Sequence, residues 1–524
     1  MEAARIVATN GRHLVSDFWG SYVAILHDAS TGESRVLRDC SGKIPCWRIS
    51  VERVTIVFSN VDDVLPLISD SLSINWRYVA AFLFFDDLRT RESGITGISE
   101  VLAGGCVAVD KDGVVADSFC WNPADVYRRS GPLSDGDDCA SAIRQNTQDC
   151  VDAWASVFKR ILHNLSGGFD SAVVLSCLRN SPVQPLVTCL NRFTDRAQED
   201  ERAFAREAAR LSASELLEIE WAAGGLDLRA SLVNAPRLVK PTVLSFGNLD
   251  ARFRNELARR FGAEATWTGQ GGDHIFFEAA TNLTAADYIR DHWFGRRFFS
   301  AIHDAARLTN EPYWRVMHSG LRKGLLRSKW KAEDDTWGQQ PFVVKESLPE
   351  NTPQYISHPW LADVLDLPPG KQFHIYVLAD LLNQTGPLIF EEGAPEHHPL
   401  VSQPLLELSV RIPTYELVRG GCGRALARAA FAGRIPESIR TRRSKGTTRT
   451  YTTAVISQNK NFIRELLLDG ALVRQGLLSR AELDPYLSAG KPLRPTQIFP
   501  LVACVAAEAW IQSWTRYTAQ RRVA

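Results

Sequence analysis

The stretch Leu165-Ser166-Gly167-Gly168-Phe169-Asp170-Ser171 decides the fold of this chain of 524 residues. It follows a run at 157–165 that contains apolar and β-branched residues, and it opens a helical run at 171–178, so it predicts a turn between a strand and a helix. Glycines let the backbone approach an anion closely, and the free N–H groups of a helix N-terminus favour negative charge. The turn is therefore predicted to bind phosphate.

Asp170 is unexpected beside a bound anion, because two negative charges repel each other. A carboxylate next to phosphates is reasonable if it binds Mg²⁺, which takes oxygen ligands from one or two carboxylates and from the nucleotide. The alternative is a Gly-Gly turn in which a Ser or Asp caps the helix, and a lone glycine-rich loop fits that alternative well. A second motif favours the nucleotide interpretation.

This second motif is Thr266-Trp267-Thr268-Gly269-Gln270-Gly271-Gly272-Asp273-His274, which follows a short apolar run and again ends a glycine-rich turn with an acid. Two such turns predict two sides of one metal and nucleotide site, with Asp170 and Asp273 as the metal ligands. The first turn lacks the Lys that follows the last Gly of a Walker motif. It resembles instead the pyrophosphate loop of enzymes that cleave ATP to AMP and pyrophosphate.

Between the two turns the chain alternates predicted strands and helices. The predicted strands are 185–191, 215–221 and 263–268, and the predicted helices are 198–211 and 248–261. Such alternation predicts an α/β fold with a doubly wound parallel sheet, whose ligands bind at the carboxyl ends of the strands.

These motifs resemble those of the asparagine synthetase family, and the resemblance extends over most of the chain. The matching stretches are 166–171, Asp200-Glu201, 269–273 and Arg443-Ser444-Lys445-Gly446, together with 18–24, 39–45, 58–60 and 97–101, which resemble the glutaminase domain of that family. The resemblance implies an N-terminal Ntn-hydrolase-like sandwich. It also implies a C-terminal doubly wound domain of the ATP-pyrophosphatase (adenine nucleotide α-hydrolase-like) type with a helical extension.

A polar segment rich in Gly, Pro and Ser at 126–136 predicts an interdomain linker. The predicted domains are therefore a degenerate glutaminase-like domain at 1–125 and an asparagine synthetase-like, ATP-dependent synthetase domain at 137–524.

The first departure from the family concerns the glutaminase nucleophile. An amidotransferase of this type begins with Cys once it is mature, whereas here Met1 is followed by Glu2 and the first Cys is Cys40. We therefore expect an N-terminal domain without the nucleophile and without glutaminase activity.

The second departure concerns the residue after Gly269. It is Gln270 here, where asparagine synthetases carry Glu and β-lactam synthetases carry Tyr. An amide cannot take a proton, so the base that deprotonates an attacking amine must come from elsewhere. The nearest candidates in the sequence are Glu391, Glu392 and Glu396, and for each of them a solvated acidic loop is the simpler interpretation.

Within the family, the chain is most similar to lasso-peptide cyclases, the macrolactam synthetases of ribosomal peptide biosynthesis. The stretches that carry this similarity are 269–274, 398–405, 411–415, 419–421, 424–428, Pro436 and Lys445-Gly446. The similarity implies adenylation of an Asp or Glu side chain in a core peptide and attack by the N-terminal amine of that peptide. It also implies ATP and Mg²⁺ as cofactors, a precursor or core peptide as substrate, and a leader-peptide protease and a recognition protein as partners.

The chemistry assigns roles to the residues of both turns. Lys445 is the candidate catalytic residue, because an ammonium group can stabilise the oxyanion that forms during amine attack. Four nearby arginines, at 440, 442, 443 and 449, are interpreted mainly as a solvated basic patch. The predicted ligands of ATP and pyrophosphate are Leu165, Ser166, Gly167, Gly168, Asp170, Ser171, Thr268, Gly269, Gly271 and Gly272.

The composition fits a cytoplasmic enzyme. Lys plus Arg equals Asp plus Glu at 60 each, so no global charge attracts nucleic acid. The 10 cysteines form no Cys-x-x-Cys pair and the N-terminus has no signal-peptide pattern, which predicts reduced thiols. Apolar runs such as 79–85 are too short to cross a bilayer, so we expect no membrane span.

Three alternatives to the macrolactam hypothesis stay open. A β-lactam or carbapenam synthetase shares the ATP motifs, although Gln270 argues against deprotonation by a Tyr. An asparagine synthetase that uses free ammonia is the second alternative. A non-catalytic binding protein that keeps an ATP fold is the third, and the intact Ser166, Asp170, Asp273 and Lys445 argue against it.

Overall fold

The computed structural model describes most of the chain. The described residues are 2–68, 72–85, 90–133, 138–194, 200–220, 227–233, 237–243, 251–326, 340–348, 358–385, 393–443, 449–488 and 497–523. Lys445, Glu391 and Glu392 lie outside these ranges.

Two antiparallel sheets make up the N-terminal region. Their strands are β1 Val23–Asp28, β2 Glu33–Arg38, β3 Trp47–Val51, β4 Val54–Phe58, β5 Ile98–Glu100, β6 Gly105–Val109 and β7 Val115–Phe119. One sheet has the order β1-β2-β6-β7 and the other the order β4-β3-β5. Valines from both sheets pack in one apolar cluster, so the sheets form two layers. The Ntn-hydrolase-like assignment of this region stays a prediction.

The helices of this region are short. They are α1 Glu2–Ala8, α2 Arg12–Asp17, α3 Leu65–Ile68, α4 Trp76–Phe84 and α5 Pro123–Ser130. The side chain of Asn122 accepts the N–H of Ala124 and so caps α5, and Pro123 occupies the first turn. The predicted linker at 126–136 therefore begins inside a helix.

A parallel sheet of five strands forms the centre of the second region, with the order β10-β9-β8-β11-β12. Its strands are β8 Arg160–Asn164, β9 Leu186–Phe193, β10 Glu215–Glu220, β11 Ala265–Trp267 and β12 Glu396–His397. The chain builds outward from β8 to β10 and then crosses to the other side of β8. The predicted α/β fold with a parallel sheet is thereby confirmed, and the strand order reverses between β8 and β11.

Helices cover this sheet, and further helices form the extension that follows it in the chain. Those associated with the sheet are α6 Cys139–Ala155, α7 Phe169–Arg179, α8 Arg202–Leu211, α9 Leu228–Val233, α10 Ala251–Phe261 and α11 Gly272–Ile275. Those that follow are α12 Leu283–His292, α13 Phe298–Thr309, α14 Tyr313–Leu325, α15 Pro369–Thr385, α16 Gln403–Arg411, α17 Thr414–Leu417, α18 Ala425–Ala430 and α19 Glu437–Thr441.

The C-terminal part is also helical. Its helices are α20 Arg449–Gln458, α21 Lys460–Leu468, α22 Ala471–Arg474, α23 Arg480–Leu487 and α24 Ile498–Val523. Short 3-10 helices lie at Val61–Asp63, Lys345–Ser347 and Pro359–Leu361. One apolar cluster joins α4 and the β4-β3-β5 sheet to α21 and α24, so the C-terminal helices pack on the N-terminal region.

Helix α24 contains a longer apolar stretch than the runs that the sequence pattern singled out. Ile498–Gln520 is long and apolar enough to cross a membrane by length and composition, yet 67% of its most apolar window is buried inside the protein. Glu508 is fully buried in this helix and accepts the N–H groups of Ala471 and Leu472 at 2.8 and 2.9 Å. A carboxylate that caps a neighbouring helix fits a core helix of a folded protein.

Glu100 connects the two regions. Its carboxylate forms ion pairs with Arg38 at 2.7 Å and with Lys240, which belongs to the second region, at 2.6 Å. Burial alone would raise the pKa of Glu100, but the two cations lower it to about 2. Glu100 is therefore charged at neutral pH and binds the N-terminal sheets to the rest of the chain.

We expect Glu100→Gln to lower the free energy of unfolding at pH 7 by about 3 kcal/mol, because it leaves the buried Arg38 and the half-buried Lys240 without their carboxylate. The pKa of Glu100 in the folded protein lies below its ordinary value of 4.5. The ion pairs therefore stabilise the fold above this ordinary pKa, and the contribution is lost as the pH falls towards 2. Urea unfolding at pH 7 and pH 3 should show a smaller difference between wild type and variant at pH 3.

Asp117→Asn is the matched control. Asp117 pairs with Arg48 at 2.6 Å within the N-terminal region, and its side chain is 30% exposed, against 18% for Glu100. Its loss should cost at most about 1 kcal/mol. Equal losses in the two variants would contradict the role given to Glu100.

Candidate functional site

The two glycine-rich turns touch each other at the point where the strand order reverses. Strands β8 and β11 are parallel neighbours, with Trp267 opposite His163, so both turns leave the same edge of the sheet. A Cβ atom on Gly269 would collide with the backbone of Ser171, and one on Gly272 would collide with the side chain of Asp170. Only glycine at these two positions permits this contact.

In the first turn Ser166 is exposed, and the residues on either side of it are held by neighbouring parts of the chain. Leu165 is buried, and its carbonyl accepts a hydrogen bond of 2.7 Å from the Asn191 side chain. Gly167 has φ +86° and packs against the backbone of Glu201, where a Cβ would collide. Burial lowers the pKa of His163 to about 4, so the neutral ring donates from Nε2 to the Ser171 carbonyl at 3.0 Å.

The hydroxyls of this turn lie close together. Ser166 Oγ accepts the N–H of Gly168 and lies 3.2 Å from Ser171 Oγ, which also contacts the Gly168 carbonyl at 3.2 Å. Ser166 is exposed, whereas Ser171 and Asp170 are buried at the start of α7. The turn can therefore offer hydroxyls and N–H groups to an anion from solvent.

Thr268 organises the second turn. Its hydroxyl accepts the N–H of Gln270 at 3.0 Å and lies 2.7 Å from Nδ1 of His398. Burial lowers the pKa of His398 to about 4, so its ring is neutral and Nδ1 can accept the Thr268 proton. Gly271, with φ +96°, packs against Val401. The turn is thus held by residues that follow β12.

Asp170 and Asp273 converge on one guanidinium. Arg424 Nη2 lies 3.1 Å from Asp170 Oδ2 and also pairs with Asp273, while Nη1 lies 3.5 Å from Glu278 Oε2. Arg424 is only 4% exposed. Since one side chain reaches both aspartates, the two predicted metal ligands are close to each other.

These carboxylates fit the hard-cation site that the sequence predicts. Oδ1 of Asp170 is buried and accepts no hydrogen bond within the described part of the chain. No group of three or more His, Cys, Asp or Glu side chains among the described residues could hold a metal ion. Two carboxylates suit Mg²⁺ that arrives with a nucleotide, because its remaining ligands are then phosphate oxygens and water.

Arg442 lies beside the first turn. It pairs with Glu201 at 2.7 Å and stacks over the ring of Phe204, 4.3 Å from the ring centroid. Glu201 is the residue that packs against Gly167. Arg442 thus differs from the solvated patch predicted for most of these arginines. Lys445 follows in a segment outside the described residues, and its catalytic role stays a prediction.

A chain of hydrogen-bonded polar side chains starts at Gln270. It lies where the attacking amine is expected, and we call it the acceptor side. Gln270 Nε2 donates to Gln384 Oε1 at 2.9 Å, and Gln384 Nε2 donates to Asp380 Oδ2 at 3.1 Å. The same Asp380 oxygen lies 3.5 Å from Nε2 of His274. Gln384 and Asp380 belong to α15, so this helix supplies the carboxylate nearest to Gln270 in this chain of contacts.

Glu396 is not suited to the role of base that the sequence suggests for it. It lies in β12 opposite Thr266, and its carboxylate forms an ion pair with Arg254 at 2.5 Å. Burial alone would raise the pKa of Glu396, but His398 and Arg254 hold it below its usual range. The interpretation as a solvated loop is also wrong, because Glu396 is part of the central sheet.

Sequence reasoning missed three residues of this site: Arg424, Asp380 and Gln384. Asp380 and Gln384 lie on α15 and Arg424 directly precedes α18, all far along the chain from the glycine-rich turns. Arg424 stands in one of the stretches similar to lasso-peptide cyclases, but nothing in its spacing predicts contact with the metal ligands. The signal in the sequence is the pair of acidic turns, because two carboxylates at one site require a nearby cation.

Comparisons with a protein-family model and with solved structures each gave a match. The family model for asparagine synthase matches residues 142–512, which is more than half of the chain, and the chain belongs to that family. A search of curated protein sequences gave no match.

One similar solved structure is the glutamine-dependent NAD+ synthetase from Acinetobacter baumannii in complex with adenosine diphosphate. The two chains are 12% identical with a TM-score of 0.19, and the match covers 52% of this chain and 63% of that one. The match thus spans less than two thirds of the synthetase, and at this TM-score the likeness carries no weight in the assignment.

We expect Asp170→Ala and Asp273→Ala each to abolish the Mg²⁺-dependent formation of AMP and pyrophosphate, because each removes a carboxylate that would hold the cation that compensates triphosphate charge. Pyrophosphate release measured against Mg²⁺ concentration checks this expectation. Turnover near that of the wild type in either variant would remove that residue from the metal site.

Glu278→Gln is the control for this pair. Glu278 also contacts Arg424, but it lies outside the two glycine-rich turns. It should retain Mg²⁺-dependent pyrophosphate release. If all three variants lost activity equally, the loss would reflect the disturbed Arg424 and not the metal.

Proposed function

We propose that the protein is an ATP-dependent peptide cyclase that forms a macrolactam. It adenylates the side chain of an Asp or Glu in a ribosomally made core peptide, and pyrophosphate leaves. The N-terminal amine of the peptide then attacks the acyl-adenylate, loses a proton and displaces AMP. The products are an isopeptide ring, AMP and pyrophosphate.

The observation that carries this proposal is the convergence of Asp170 and Asp273 beside a turn that exposes Ser166. A carboxylate does not react with an amine at neutral pH, so it must first be activated. Asp170 and Asp273 would hold Mg²⁺, which would neutralise charge on the departing pyrophosphate. The hydroxyls and N–H groups of the first turn bind the phosphates.

The choice of a peptide acceptor is supported by the acceptor side and by the sequence resemblance. Gln270 is bonded to Gln384, and an amide accepts no proton from an attacking amine. We assign Asp380, assisted by His274, as the group that receives this proton. The precursor peptide, its protease and its recognition protein belong to the same proposal, as does a cytoplasmic location.

The test incubates the protein with ATP, Mg²⁺ and a leader-free core peptide that contains an Asp or Glu near its N-terminus. Cyclisation is followed as the loss of one water from the peptide mass, together with AMP formation. Absence of adenylation on any peptide carboxylate would overturn the macrolactam proposal. Turnover with aspartate and ammonia, or with a β-amino acid, would favour an asparagine synthetase or a β-lactam synthetase instead.

We expect Lys445→Ala to bind ATP but to cyclise peptide at least about a hundredfold more slowly, the scale of losing one oxyanion donor. Lys445→Arg should restore little activity, because a planar guanidinium does not replace a compact ammonium. Single-turnover cyclisation measures the effect. Unchanged rates in Lys445→Ala would remove its catalytic role.

Asp380→Asn should slow cyclisation by about 10² or more, as expected for the loss of a general base, while ATP–pyrophosphate exchange stays unchanged. Glu396→Gln is the matched comparison. It breaks the ion pair with Arg254 and should leave the ratio of cyclisation to exchange unaltered. A fall in this ratio for Glu396→Gln alone would transfer the role of base from Asp380 to Glu396.

A further inference from the structure

Arg424 is a buried cation among three carboxylates. Its guanidinium pairs with Asp170, Asp273 and Glu278, and its side chain is 4% exposed. Oδ1 of Asp170 is buried and accepts no hydrogen bond among the described residues, so Arg424 does not satisfy this carboxylate completely.

The backbone holds Arg424 in this place. The residue has φ 55°, in the left-handed region, at the start of α18, and its N–H donates to the Phe277 carbonyl at 3.1 Å. The preceding Gly423 lacks a Cβ that would collide with the Glu278 carboxylate. Phe277 and Glu278 follow the second glycine-rich turn closely in sequence, so Arg424 is attached to the element that carries Asp273.

A guanidinium and a divalent cation seek the same atoms here. Both are attracted to the carboxylate oxygens of Asp170 and Asp273, so a metal ion held by these two residues would compete with Arg424 for them. Removing the guanidinium from the buried Asp170 and the half-buried Asp273 also leaves their carboxylates to repel each other. A metal ion that enters must therefore replace the interactions that Arg424 makes.

We propose that Arg424 is an internal counter-cation that holds Asp170 and Asp273 together and competes directly with the divalent cation for their oxygens. The inference rests on the metal and nucleotide part of the proposed function. The competition makes the site selective. A free metal ion would displace the guanidinium of Arg424 without offering it another anion. A metal ion bound to a triphosphate brings anionic oxygens of its own. The site therefore favours the metal–nucleotide complex over the free metal.

The test uses Mn²⁺ alone as the probe, without nucleotide, on the full chain. The free Mn²⁺ signal in electron paramagnetic resonance gives its dissociation constant. Arg424→Met should bind Mn²⁺ at least about tenfold more tightly than the wild type, a change that a single lost charge contact can produce. Unchanged or weaker binding in Arg424→Met would overturn the proposal.

Arg428→Met is the matched control. Arg428 lies one helical turn further along α18, where its guanidinium lies over the ring of Phe169 and donates to the carbonyl of Gly423 at 3.2 Å. Its removal also deletes one positive charge near the site, but it should change Mn²⁺ affinity by less than about twofold. An equal gain in both variants would show a general field effect and overturn direct competition.

If Arg424→Met does not fold, Arg424→Lys provides the test instead. A lysine keeps the charge but contacts fewer oxygens at once, so Mn²⁺ affinity should lie above that of the wild type. Wild-type affinity in Arg424→Lys would then count against the proposal. The peptide substrate plays no part in these titrations, so the proposed cyclisation can fail while the Mn²⁺ result stands, and the reverse also holds.

Discussion

The contact between the two glycine-rich turns is the constraint on which the rest of the site depends. Because a Cβ on Gly269 or Gly272 would collide with Ser171 or Asp170, the turns approach only if both positions are glycine. The parallel pairing of β8 with β11 brings the turns to one edge of the sheet. The phosphate loop and the second aspartate are therefore positioned by backbone contact, which is more rigid than a contact between long side chains.

Electrostatics then determines what surrounds this contact. Buried carboxylates need a compensating cation, and in the described chain Arg424 provides it for Asp170 and Asp273. The same principle acts at Glu100, where Arg38 and Lys240 hold the two regions together. Arg424 thus pairs with carboxylates of the candidate site, whereas Arg38 and Lys240 pair with a carboxylate that joins the two regions. Exposure of Asp273, at 39% of its side chain, is what makes the first group accessible.

The sequence predicted the central sheet well because its elements are local patterns. The strand predicted at 215–221 is observed as Glu215–Glu220, and the helix predicted at 198–211 as Arg202–Leu211. Strand β12 was not predicted, since two residues carry no pattern of their own and pair only with β11. Helix α24 was underestimated because Glu508 interrupts its apolar run, and only the folded chain supplies the partners that make this carboxylate acceptable in a core. Arg424 and Asp380 likewise reach the site through tertiary packing alone.

The nucleotide half and the acceptor half of the site are built by different means. The nucleotide half rests on glycine backbones and two aspartates, where almost any substitution causes a collision or removes a charge. The acceptor half rests on side chains of one helix, since Gln270 reaches Asp380 through Gln384 on α15. Changing residues on that helix alters which acceptor is held and what receives its proton, without moving the turns that bind the nucleotide. A family that keeps one activation chemistry can thus acquire different acceptors, because Gln384 and Asp380 lie on α15, outside the glycine-rich turns.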